Sequence, residues 1–448
     1  MTTIGIRLED KNHWERRVPL VPTDIAPLIQ DHGLRVIVQP SPQRTYGDDA
    51  FRAIGAEVDM DLSSADVVFA VKEIPVPLIT PERTYVFFAH VIKGQPYNMH
   101  LLRHLLDSRS TLIDYERIVD DQGKRLVLFG REAGEAGMID SLHLLGRRFA
   151  LEGLDTPFAE IRLAHDYSDL SEAKEQLEAV GANIRRGMAS TFESTADLPL
   201  VFGFMGGGNV SQGAQEIFDI LPFEEVAPED LQTVCAQGPA IDDRLIKVRF
   251  GRQHLATPKD PTEAFDKETY SQHPERFRGR LAEFLPHVSV LMNGIYWTPE
   301  FPRFFSRAEA QDLWSRGERK LRLIGDVTCD IDGAIELTYK ATSPDDPAYV
   351  YAPSSDSFHA GIEGDGIIVL AVDNLPCELP RDASNRFSHS LRSFVPSIAR
   401  ADYSKPFEDL TLPPEIHRAV ITHRGELTPN YEYLASALSR AEQEHAKD

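Results

Sequence analysis

The sequence predicts an α/β fold with two doubly wound, mostly parallel, Rossmann-like domains that flank a cleft. At 448 residues the chain is too long for one hydrophobic core, so it should form two or three domains. Short apolar runs alternate with amphipathic helical patterns over the first 120 residues, as in parallel sheets that helices cover on both faces. Around residue 206 a buried strand, a glycine-rich turn and a helix follow one another, which predicts a second unit of this type.

The first region contains strands and helices of ordinary length. One helix should begin after Pro22 with Thr23 as its N-cap, because threonine accepts a hydrogen bond from the first turn. The predicted strands cover 3–8, 34–38, 67–71, 85–89 and 112–115, and the predicted helices cover 23–31, 49–54 and 99–106.

The rest of the chain begins with a long helix over 134–151, where Met138, Leu142, Leu145 and Phe149 recur at spacings of three and four. The segment 258–278 is polar and interrupted by prolines, so it should be a surface excursion. Further helices are predicted over 171–180 and 212–221, and further strands over 199–205, 288–293, 321–327 and 366–372.

The composition indicates a small-molecule enzyme. A formal net charge of -23 disfavours binding to nucleic acids and to anionic membranes, because both need a basic face. The three cysteines, Cys235, Cys329 and Cys377, lie far apart without a metal-ligand spacing, so no metal site is expected. No apolar run approaches the roughly 18 residues that span a bilayer, and we expect a cytoplasmic protein.

The glycine-rich turn has the pattern of a dinucleotide site. Gly206 would form the tight turn, and Gly208 would let the backbone approach a pyrophosphate. The helix opening near Asn209 and Val210 would direct its N–H groups at the phosphates, while Ser211 stands where the fingerprint has a third glycine. About 20 residues further on, Glu224 or Glu225 could take a ribose hydroxyl, with Glu225 as the preferred residue. An acid there weakly favours NAD over NADP.

Ionisable side chains follow two buried strands of the first region. Lys72 comes directly after strand 67–71, and His90 comes directly after strand 85–89. Ligands collect at the carboxyl ends of parallel strands, so these residues are candidates for acid-base chemistry. A solvated lysine and a histidine that satisfies a turn are the alternative readings.

Cationic residues near the same strand ends could hold an anionic substrate. Arg17, Lys93 and Arg125 would form the local positive cluster that an anion needs in this acidic protein. Glu116 lies beside them, after strand 112–115, and Asp330 and Asn374 follow two strands of the second region.

Several motifs, in their order along the chain, resemble those of the alanine dehydrogenase and transhydrogenase-like superfamily. Within it the chain looks most like the lysine-ketoglutarate reductase, or saccharopine reductase, branch. The superfamily motifs are WERRVPL at 14–20, VKEIP at 71–75, FAHVIKGQ at 88–95, GGGNVS at 206–211 and VDNLP at 372–376. The motifs that favour the branch are GQPYNM at 94–99, NGIYW at 293–297 and LPRDAS at 379–384.

The resemblance implies that the chain reductively condenses lysine with 2-oxoglutarate to saccharopine, or runs the reverse, with NADP or NAD and a slight preference for NADPH. It implies that Lys72 and His90 are catalytic. It also implies that Arg17 and Arg125 bind substrate carboxylates with Lys93 nearby, and that Asp330 and Asn374 lie at the cofactor. From the pattern of the turn itself, the predicted cofactor-binding residues are Gly206, Gly208, Asn209, Val210, Ser211 and Glu225, and Glu116 is added to the predicted substrate-binding residues.

The resemblance further implies that the nucleotide domain is inserted in the substrate domain. We therefore expect a substrate domain over 1–135, a Rossmann domain over 136–376 and a segment over 377–448 that completes the substrate domain. Animal and plant relatives carry a saccharopine-oxidising domain, so this chain is expected to be a stand-alone reductase with a separate partner enzyme, or a paralogue with other substrates. A homo-oligomer is also compatible with the sequence.

Two rival functions remain open at this stage. An alanine dehydrogenase-like enzyme, reducing pyruvate with ammonia, would share the fold and most of the site residues. A nicotinamide-binding regulatory protein without turnover belongs to another class, and the retention of Lys72, His90 and Arg17 argues against it.

Overall fold

The computed structural model describes residues 2–188, 191 and 198–445. They form two compact units, one made of the residues up to Phe129 together with those from Pro380 onward, and the other of Gly130–Leu379. These boundaries differ from the expected ones at 135/136 and 376/377. A long helix begins at Gly130, and the 3₁₀ helix Leu375–Cys377 packs against it, so both elements belong to the second unit.

The strands of the two units account for the predicted ones, with ends that differ by about two residues. In chain order they are β1 (Thr3–Ile6), β2 (Arg35–Val38), β3 (Glu57–Val58), β4 (Val67–Phe69), β5 (Thr84–Phe87), β6 (Thr111–Asp114), β7 (Val201–Met205), β8 (Phe223–Val226), β9 (Leu245–Phe250), β10 (Ala256–Pro258), β11 (Phe277–Gly279), β12 (Val290–Asn293), β13 (Leu323–Asp326), β14 (Ala348–Ala352), β15 (Ser357–Ala360), β16 (Ile367–Leu370), β17 (Val420–His423) and β18 (Glu426–Leu427).

The α-helices range from single turns to one long helix. They are α1 (Pro22–Gln30), α2 (Asp48–Arg52), α3 (Pro96–Asp107), α4 (Gly130–Leu151), α5 (Leu170–Ile184), α6 (Asn209–Phe218), α7 (Leu231–Cys235), α8 (Arg252–Leu255), α9 (Lys267–Gln272), α10 (Arg307–Ser315), α11 (Pro380–Leu391), α12 (Val395–Arg400), α13 (Pro414–His417) and α14 (Leu434–His445). Among the described residues, none of these helices has the length and apolar character needed to cross a membrane.

The first unit is built on a sheet of eight strands in the order β18-β17-β6-β5-β4-β1-β2-β3. Strands β1 to β6 are parallel, whereas β17 and β18 of the C-terminal segment run antiparallel at one edge. Side chains alternate between two cores: Val67 and Phe69 enter one, and Val68 enters the other. This alternation confirms a sheet that is covered on both faces.

The second unit has another sheet of eight strands, in the order β15-β14-β16-β13-β12-β7-β9-β8. All neighbours are parallel except β14 and β15, which run antiparallel beyond β16. Strand β8 follows α6 in the chain but lies at the edge of the sheet, and β9 occupies the place beside β7. The predicted fold class, with two mostly parallel sheets, is therefore confirmed.

Helices α4 and α6 approach each other so closely that glycine is needed on both. A Cβ atom on Gly134 would stand 1.9 Å from the carbonyl oxygen of Val210, and one on Gly213 would stand 2.0 Å from that of Arg131. Any side chain at these positions would push the helices apart. The contact fixes the start of α6, which is the end that faces the glycine-rich turn.

Two local predictions need correction. Helix α1 begins at Pro22 rather than at Thr23, and Val21 is its N-cap without a side-chain hydrogen bond. Proline suits the first helical position because its fixed φ is already helical and that position needs no N–H donor. The segment 258–278 is more ordered than a surface excursion, since it contributes α9 and pairs β10 with β11 over a small core that includes Tyr270 and Phe277.

A buried acid pair lies within the second unit. Asp140 of α4 and Glu378, just after the 3₁₀ helix Leu375–Cys377, are both almost fully buried. Asp140 Oδ1 accepts a hydrogen bond from the N–H of Ala164 at 2.8 Å, and Glu378 Oε2 lies 3.1 Å from Nδ1 of His165. Burial raises the pKa of Asp140 well above its usual range, and repulsion by Glu378 adds to this. Burial also raises the pKa of Glu378 to about 8, so the pair retains a proton at neutral pH.

The acid pair predicts that the stability of the protein decreases as the pH rises. An unfolded glutamate ionises near pH 4.5, whereas Glu378 in the folded chain keeps its proton to about pH 8, so the unfolded state releases its proton first across this window. In Asp140→Asn the amide can still accept from Ala164 and can donate to Glu378. We expect the melting temperature of this variant to decrease less than that of the wild type between pH 6 and pH 8.5. The measurement is differential scanning calorimetry.

The matched control for this measurement is Glu175→Gln, which changes an exposed glutamate of α5. It should follow the wild-type curve. If Asp140→Asn and the wild type change in parallel with pH, the acid pair does not govern this dependence.

Candidate active site

Lys72 and His90 lie just beyond the ends of two adjacent parallel strands. Strands β4 and β5 pair with Phe69 beside Val86, so both leave the sheet at the same edge. The charge of Lys72 is among the causes that lower the pKa of His90, which places the two side chains within each other's electrostatic reach. The structure thus brings the two predicted acid-base residues to one place.

The surroundings of Lys72 favour the neutral form of its amine. Burial lowers the pKa of Lys72, and the positive charge of Arg17 lowers it further, while Glu15 opposes the shift. The backbone at Lys72 is held by Glu9, whose Oε1 accepts from the N–H of Val71 at 2.6 Å and whose Oε2 accepts from the N–H of Lys72 at 3.0 Å. Near neutral pH, the neutral fraction of the Lys72 amine is therefore larger than that of an exposed lysine.

The surroundings of His90 favour the neutral form of its imidazole. Burial lowers its pKa, and the carboxylate of Glu73, with Oε1 3.8 Å from Nε2 of His90, acts in the opposite direction. The backbone of His90 has φ of 51°, in the left-handed region that side chains rarely adopt. Asn98 donates from Nδ2 to the carbonyl oxygens of Ala89 at 3.1 Å and His90 at 3.2 Å.

A third buried carboxyl group lies at the end of β6. Asp114 is fully buried and accepts hydrogen bonds from the N–H of Glu116 at 2.9 Å and of Ala89 at 3.4 Å. Burial raises the pKa of Asp114 to about 7. Burial also raises the pKa of Glu9 to about 7, with repulsion by Glu15 as the second cause. Asp114 and Glu9, at the sheet edge that carries Lys72 and His90, are therefore partly protonated at neutral pH.

The predicted cations differ in how available they are. Arg17 is 2% exposed, and its Nε and Nη2 donate to the two carboxylate oxygens of Glu15 at 2.7 and 2.6 Å. Its guanidinium also lies 4.2 Å from the ring centre of Phe129. Arg125 is exposed, with Nη1 3.8 Å from Oε1 of Glu116, and Lys93 is exposed as well. Of the three predicted cations, Arg17 is thus buried and paired, whereas Arg125 and Lys93 are exposed to solvent.

An aromatic group supports this side of the sheet. Phe129 stacks on Phe387 of α11 with ring centres 4.3 Å apart, and Tyr115 meets Phe387 edge-on at 4.9 Å. Phe88 packs against the same rings and lies nearly parallel to His90 at 6.1 Å. The C-terminal segment therefore supplies part of the wall beside the acid-base residues.

The glycine-rich turn of the second unit leaves room in front of α6. Gly206 has φ of 86°, and a Cβ there would stand 2.9 Å from Cγ1 of Ile295. At Gly207 and Gly208 a Cβ would meet nothing within 4 Å, so neither glycine is required by contacts within the protein. Side chains at these positions would occupy the space at the helix N-terminus, where a dinucleotide phosphate binds in this type of fold. The turn therefore fits such a group.

The start of α6 has no third fingerprint glycine, and the structure shows why none is needed. Ser211 is buried, and its hydroxyl accepts from Nε2 of Gln215 at 3.0 Å. Close packing against α4 falls to Gly213 instead, two residues later. Asn209 is the first residue of the helix, and Val210 packs against the end of β12, where a Cβ on Gly294 would come within 2.9 Å of Val210 Cγ1.

Strand β13 ends in a buried polar network that sequence reasoning did not single out. Asp326 accepts from Nδ2 of Asn293 at 2.9 Å, from the hydroxyl of Thr328 at 2.7 Å and from that of Thr338 at 2.6 Å. This network ties the ends of β12 and β13 to the loop that carries Asp330. Local patterns contain little signal for it, since its members lie up to 45 residues apart in positions 293 to 338.

The loop after β13 holds Asp330 in a tight turn. The N–H of Gly333 donates to the carbonyl oxygen of Asp330 at 2.9 Å, and a Cβ on Gly333 would stand 2.6 Å from Cβ of Asp330. Cys329 and Asp332 on either side have φ of 55° and 50°. Asn374 is half-buried and precedes the 3₁₀ helix Leu375–Cys377, after β16.

The structure does not bring the predicted ribose acid to the glycine-rich turn. Glu224 and Glu225 lie on β8, which β9 separates from β7. Glu225 is aligned with Lys247, in the middle of β9, and its carboxylate accepts from Nε of Arg249 at 2.6 Å. The prediction was based on distance along the chain and assumed that the strand after α6 lies beside β7. In the structure that strand, β8, lies one position further out, at the edge of the sheet.

The described part of the chain contains no group of three or more His, Cys, Asp and Glu side chains arranged to hold a metal ion.

Comparison with known proteins gives consistent results along the chain. Residues 5–136 match the family model "Alanine dehydrogenase/PNT, N-terminal domain". Over 464 aligned residues the chain is 40% identical to the alpha-aminoadipic semialdehyde synthase of Arabidopsis thaliana, which covers 99% of this chain and 42% of that protein. Over 410 residues it is 25% identical to a saccharopine dehydrogenase (NAD(+), L-lysine-forming) of Neurospora crassa, covering 89% of this chain and 90% of that protein. The chain thus spans less than half the length of the first relative.

Among solved structures, an L-alanine dehydrogenase superposes with a TM-score of 0.61 at 15% identity, covering 97% of this chain and 99% of that one. At this level of identity the likeness concerns the fold alone.

Proposed function

We propose that the chain is a nicotinamide-dependent oxidoreductase acting on a CH–NH bond. The match of residues 5–136 to the alanine dehydrogenase/PNT N-terminal domain supports this proposal, and so does the similarity of the chain to an alpha-aminoadipic semialdehyde synthase and a saccharopine dehydrogenase. Its reaction would be the reductive condensation of L-lysine with 2-oxoglutarate to saccharopine, or the reverse. The observation that carries the proposal is the pair Lys72 and His90, both with lowered pKa values at one sheet edge.

The chemistry needs groups that exchange protons near neutral pH. The ε-ammonium of lysine must lose a proton before its nitrogen can attack the ketone, and the resulting carbinolamine must gain one before it expels water. Lys72 and His90 supply a base and an acid for these steps, since burial brings both closer to their neutral forms at physiological pH. The turn Gly206–Ser211 would hold a reduced nicotinamide dinucleotide, which would supply the hydride for the imine carbon.

The substrates would be oriented by the charges around this pair. Saccharopine carries three carboxylates, and the exposed Arg125 and Lys93 are the cations best placed to receive them. Arg17 would act mainly by holding Glu15 and by lowering the pKa of Lys72. Glu116, beside Arg125, would face an ammonium group of the substrate. The substrate is thus assigned to the first unit, and the dinucleotide to Gly130–Leu379.

The dinucleotide would lie on the turn Gly206–Ser211, and its ribose would meet the end of β9. In doubly wound folds an acid near this point binds the ribose hydroxyls of NAD, whereas an arginine accommodates the 2′-phosphate of NADP. The residues after β9 are Gly251 and Arg252, and Arg252 is exposed. Among the described residues Arg252 forms no ion pair, and it donates one hydrogen bond, to the hydroxyl of Ser271 at 3.3 Å. NADPH is therefore the proposed cofactor.

The first prediction concerns the reaction itself. The purified chain should oxidise NADPH only when both lysine and 2-oxoglutarate are present, because neither alone gives an imine. The measurement is the absorbance of the reduced nicotinamide, with pyruvate plus ammonium as the control for an alanine dehydrogenase reaction. Turnover with the control pair, or none with lysine and 2-oxoglutarate, would contradict the proposal.

The second prediction concerns the acid-base pair. Lys72→Met and His90→Gln should each lower kcat by a factor of roughly 100 or more, because each removes a proton-transfer group. The dissociation constant for NADPH, measured by fluorescence titration, should stay within about twofold, since the dinucleotide is assigned to other residues. Wild-type turnover in both variants would remove Lys72 and His90 from the mechanism.

The third prediction concerns cofactor choice. Arg252→Ala should raise the KM for NADPH by about 10- to 100-fold, as loss of one charge-assisted phosphate contact costs roughly 1.5–3 kcal/mol. The KM for NADH should hardly change. Arg249→Ala is the matched control, because Arg249 lies on β9, just before Arg252 in the chain, and is paired with Glu225. Equal changes for NADPH and NADH in Arg252→Ala would mean that this arginine does not read the 2′-phosphate.

A further inference from the structure

Backbone groups near Lys72 and His90 lie beyond the last paired residues of their strands. The regular pairing of β4 with β5 ends near Phe69, after which the N–H of Ala70 still donates to Val86 and the N–H of Phe88 to the carbonyl oxygen of Val71. The next two N–H groups, of Val71 and Lys72, bind the side chain of Glu9. On the neighbouring strand the carbonyl oxygens of Ala89 and His90 bind the side chain of Asn98. Two side chains thus replace the missing strand neighbours.

Glu9 uses both oxygens of its carboxylate for this purpose. It is 6% exposed and follows β1, the strand on the other side of β4. The distances of 2.6 Å to the N–H of Val71 and 3.0 Å to that of Lys72 fix the orientation of the peptide group between these residues. That peptide sets the direction in which the side chain of Lys72 leaves the backbone.

Asn98 donates hydrogen bonds to the backbone at His90, whereas Glu9 accepts them from the backbone at Lys72. It is 7% exposed and lies in the first turn of α3, within the motif 94–99. Its amide nitrogen lies within 3.2 Å of both carbonyl oxygens, so these neighbours require the N–H₂ group on this side. Because His90 has a left-handed φ of 51°, its backbone needs surrounding contacts to keep this conformation.

We propose that Glu9 and Asn98 are positioning residues of the proposed reaction, Glu9 for Lys72 and Asn98 for His90. Neither side chain reaches the reacting atoms; each holds the backbone from which an acid-base group extends. This inference depends on the proposed function for its kinetic test. A displacement of about 1 Å in a reacting group can lower a rate by roughly 100-fold, so secure placement of both residues has a large effect.

The test uses variants of nearly unchanged shape. Glu9→Gln replaces one acceptor oxygen by an N–H₂ group that faces a backbone N–H, and Asn98→Asp replaces the donor by oxygen. Each should lower kcat by about 10- to 100-fold, with the KM for NADPH within about twofold. Asn98→Ala serves as a second variant, because it loses the donor without placing oxygen against the carbonyls. Thermal unfolding of every variant establishes that the chain is folded during the assay.

Asp66→Asn is the matched control. Asp66 precedes β4, at the opposite end of the same strand, and its Oδ2 accepts from the N–H of Thr3 at 2.8 Å. It is a carboxylate that holds backbone in the same sheet, away from Lys72 and His90. Its kcat should stay within about twofold of the wild type. A loss equal to that of Glu9→Gln would indicate a general effect on the sheet and would overturn the proposal.

Double variants separate positioning from a merely structural role. If Glu9 acts through Lys72, adding Glu9→Gln to Lys72→Met should lower the residual kcat by less than about twofold. The same holds for Asn98→Asp added to His90→Gln. Full additivity in both combinations would overturn the proposal.

A measurement without turnover distinguishes this inference from the proposed function. The pKa of the His90 imidazole, followed by NMR and assigned with His90→Gln, should shift in Asn98→Asp and stay unchanged in Asp66→Asn. If the wild type shows no turnover with lysine and 2-oxoglutarate, the proposed function fails while this titration still tests the placement of His90. An unshifted His90 pKa in Asn98→Asp would overturn the positioning role.

Discussion

Backbone N–H and C=O groups at the end of a parallel strand must find new partners once the neighbouring strand has ended, because burying them unpaired is costly. In the first unit these partners are side chains of Glu9, Asn98 and Asp114. The same requirement that closes the sheet therefore fixes the directions of Lys72 and His90. The site depends on how β4, β5 and β6 end, and on the side chains that α3 and the segment after β1 bring to those ends.

Burial then shifts the pKa values of the ionisable side chains at the strand ends. A lysine and a histidine lose part of their affinity for protons when they leave water, whereas Glu9 and Asp114 gain it. In the buried pair of Arg17 with Glu15 neither ion is uncompensated; Arg17 lowers the pKa of Lys72, and Glu15 opposes this shift. One physical cause, the removal of water, shifts the pKa values of all four groups in favour of their uncharged forms.

The C-terminal segment is part of this arrangement. Ser384 and Ser388 of α11 accept hydrogen bonds from the N–H groups of Val18 and Val21, both at 3.0 Å. Phe387, between them, packs against Phe129, on which Arg17 also lies. The loop that carries Arg17 is thus held by residues about 366 positions away in sequence. The motif at 379–384 has a structural reason in this contact.

The sequence by itself determined the parallel α/β pattern, the glycine-rich turn and the placement of Lys72 and His90 after two buried strands, because hydrophobic period and turn chemistry are local properties. Only the tertiary structure decided that β9 rather than β8 lies beside β7, so that Glu225 lies on the edge strand and Arg252 follows the strand next to β7. It also decided that Arg17 is held by Glu15, and that Glu9 and Asn98 reach the ends of other strands. The physical reason is that strand order and buried polar contacts depend on packing between distant segments, which no local pattern encodes.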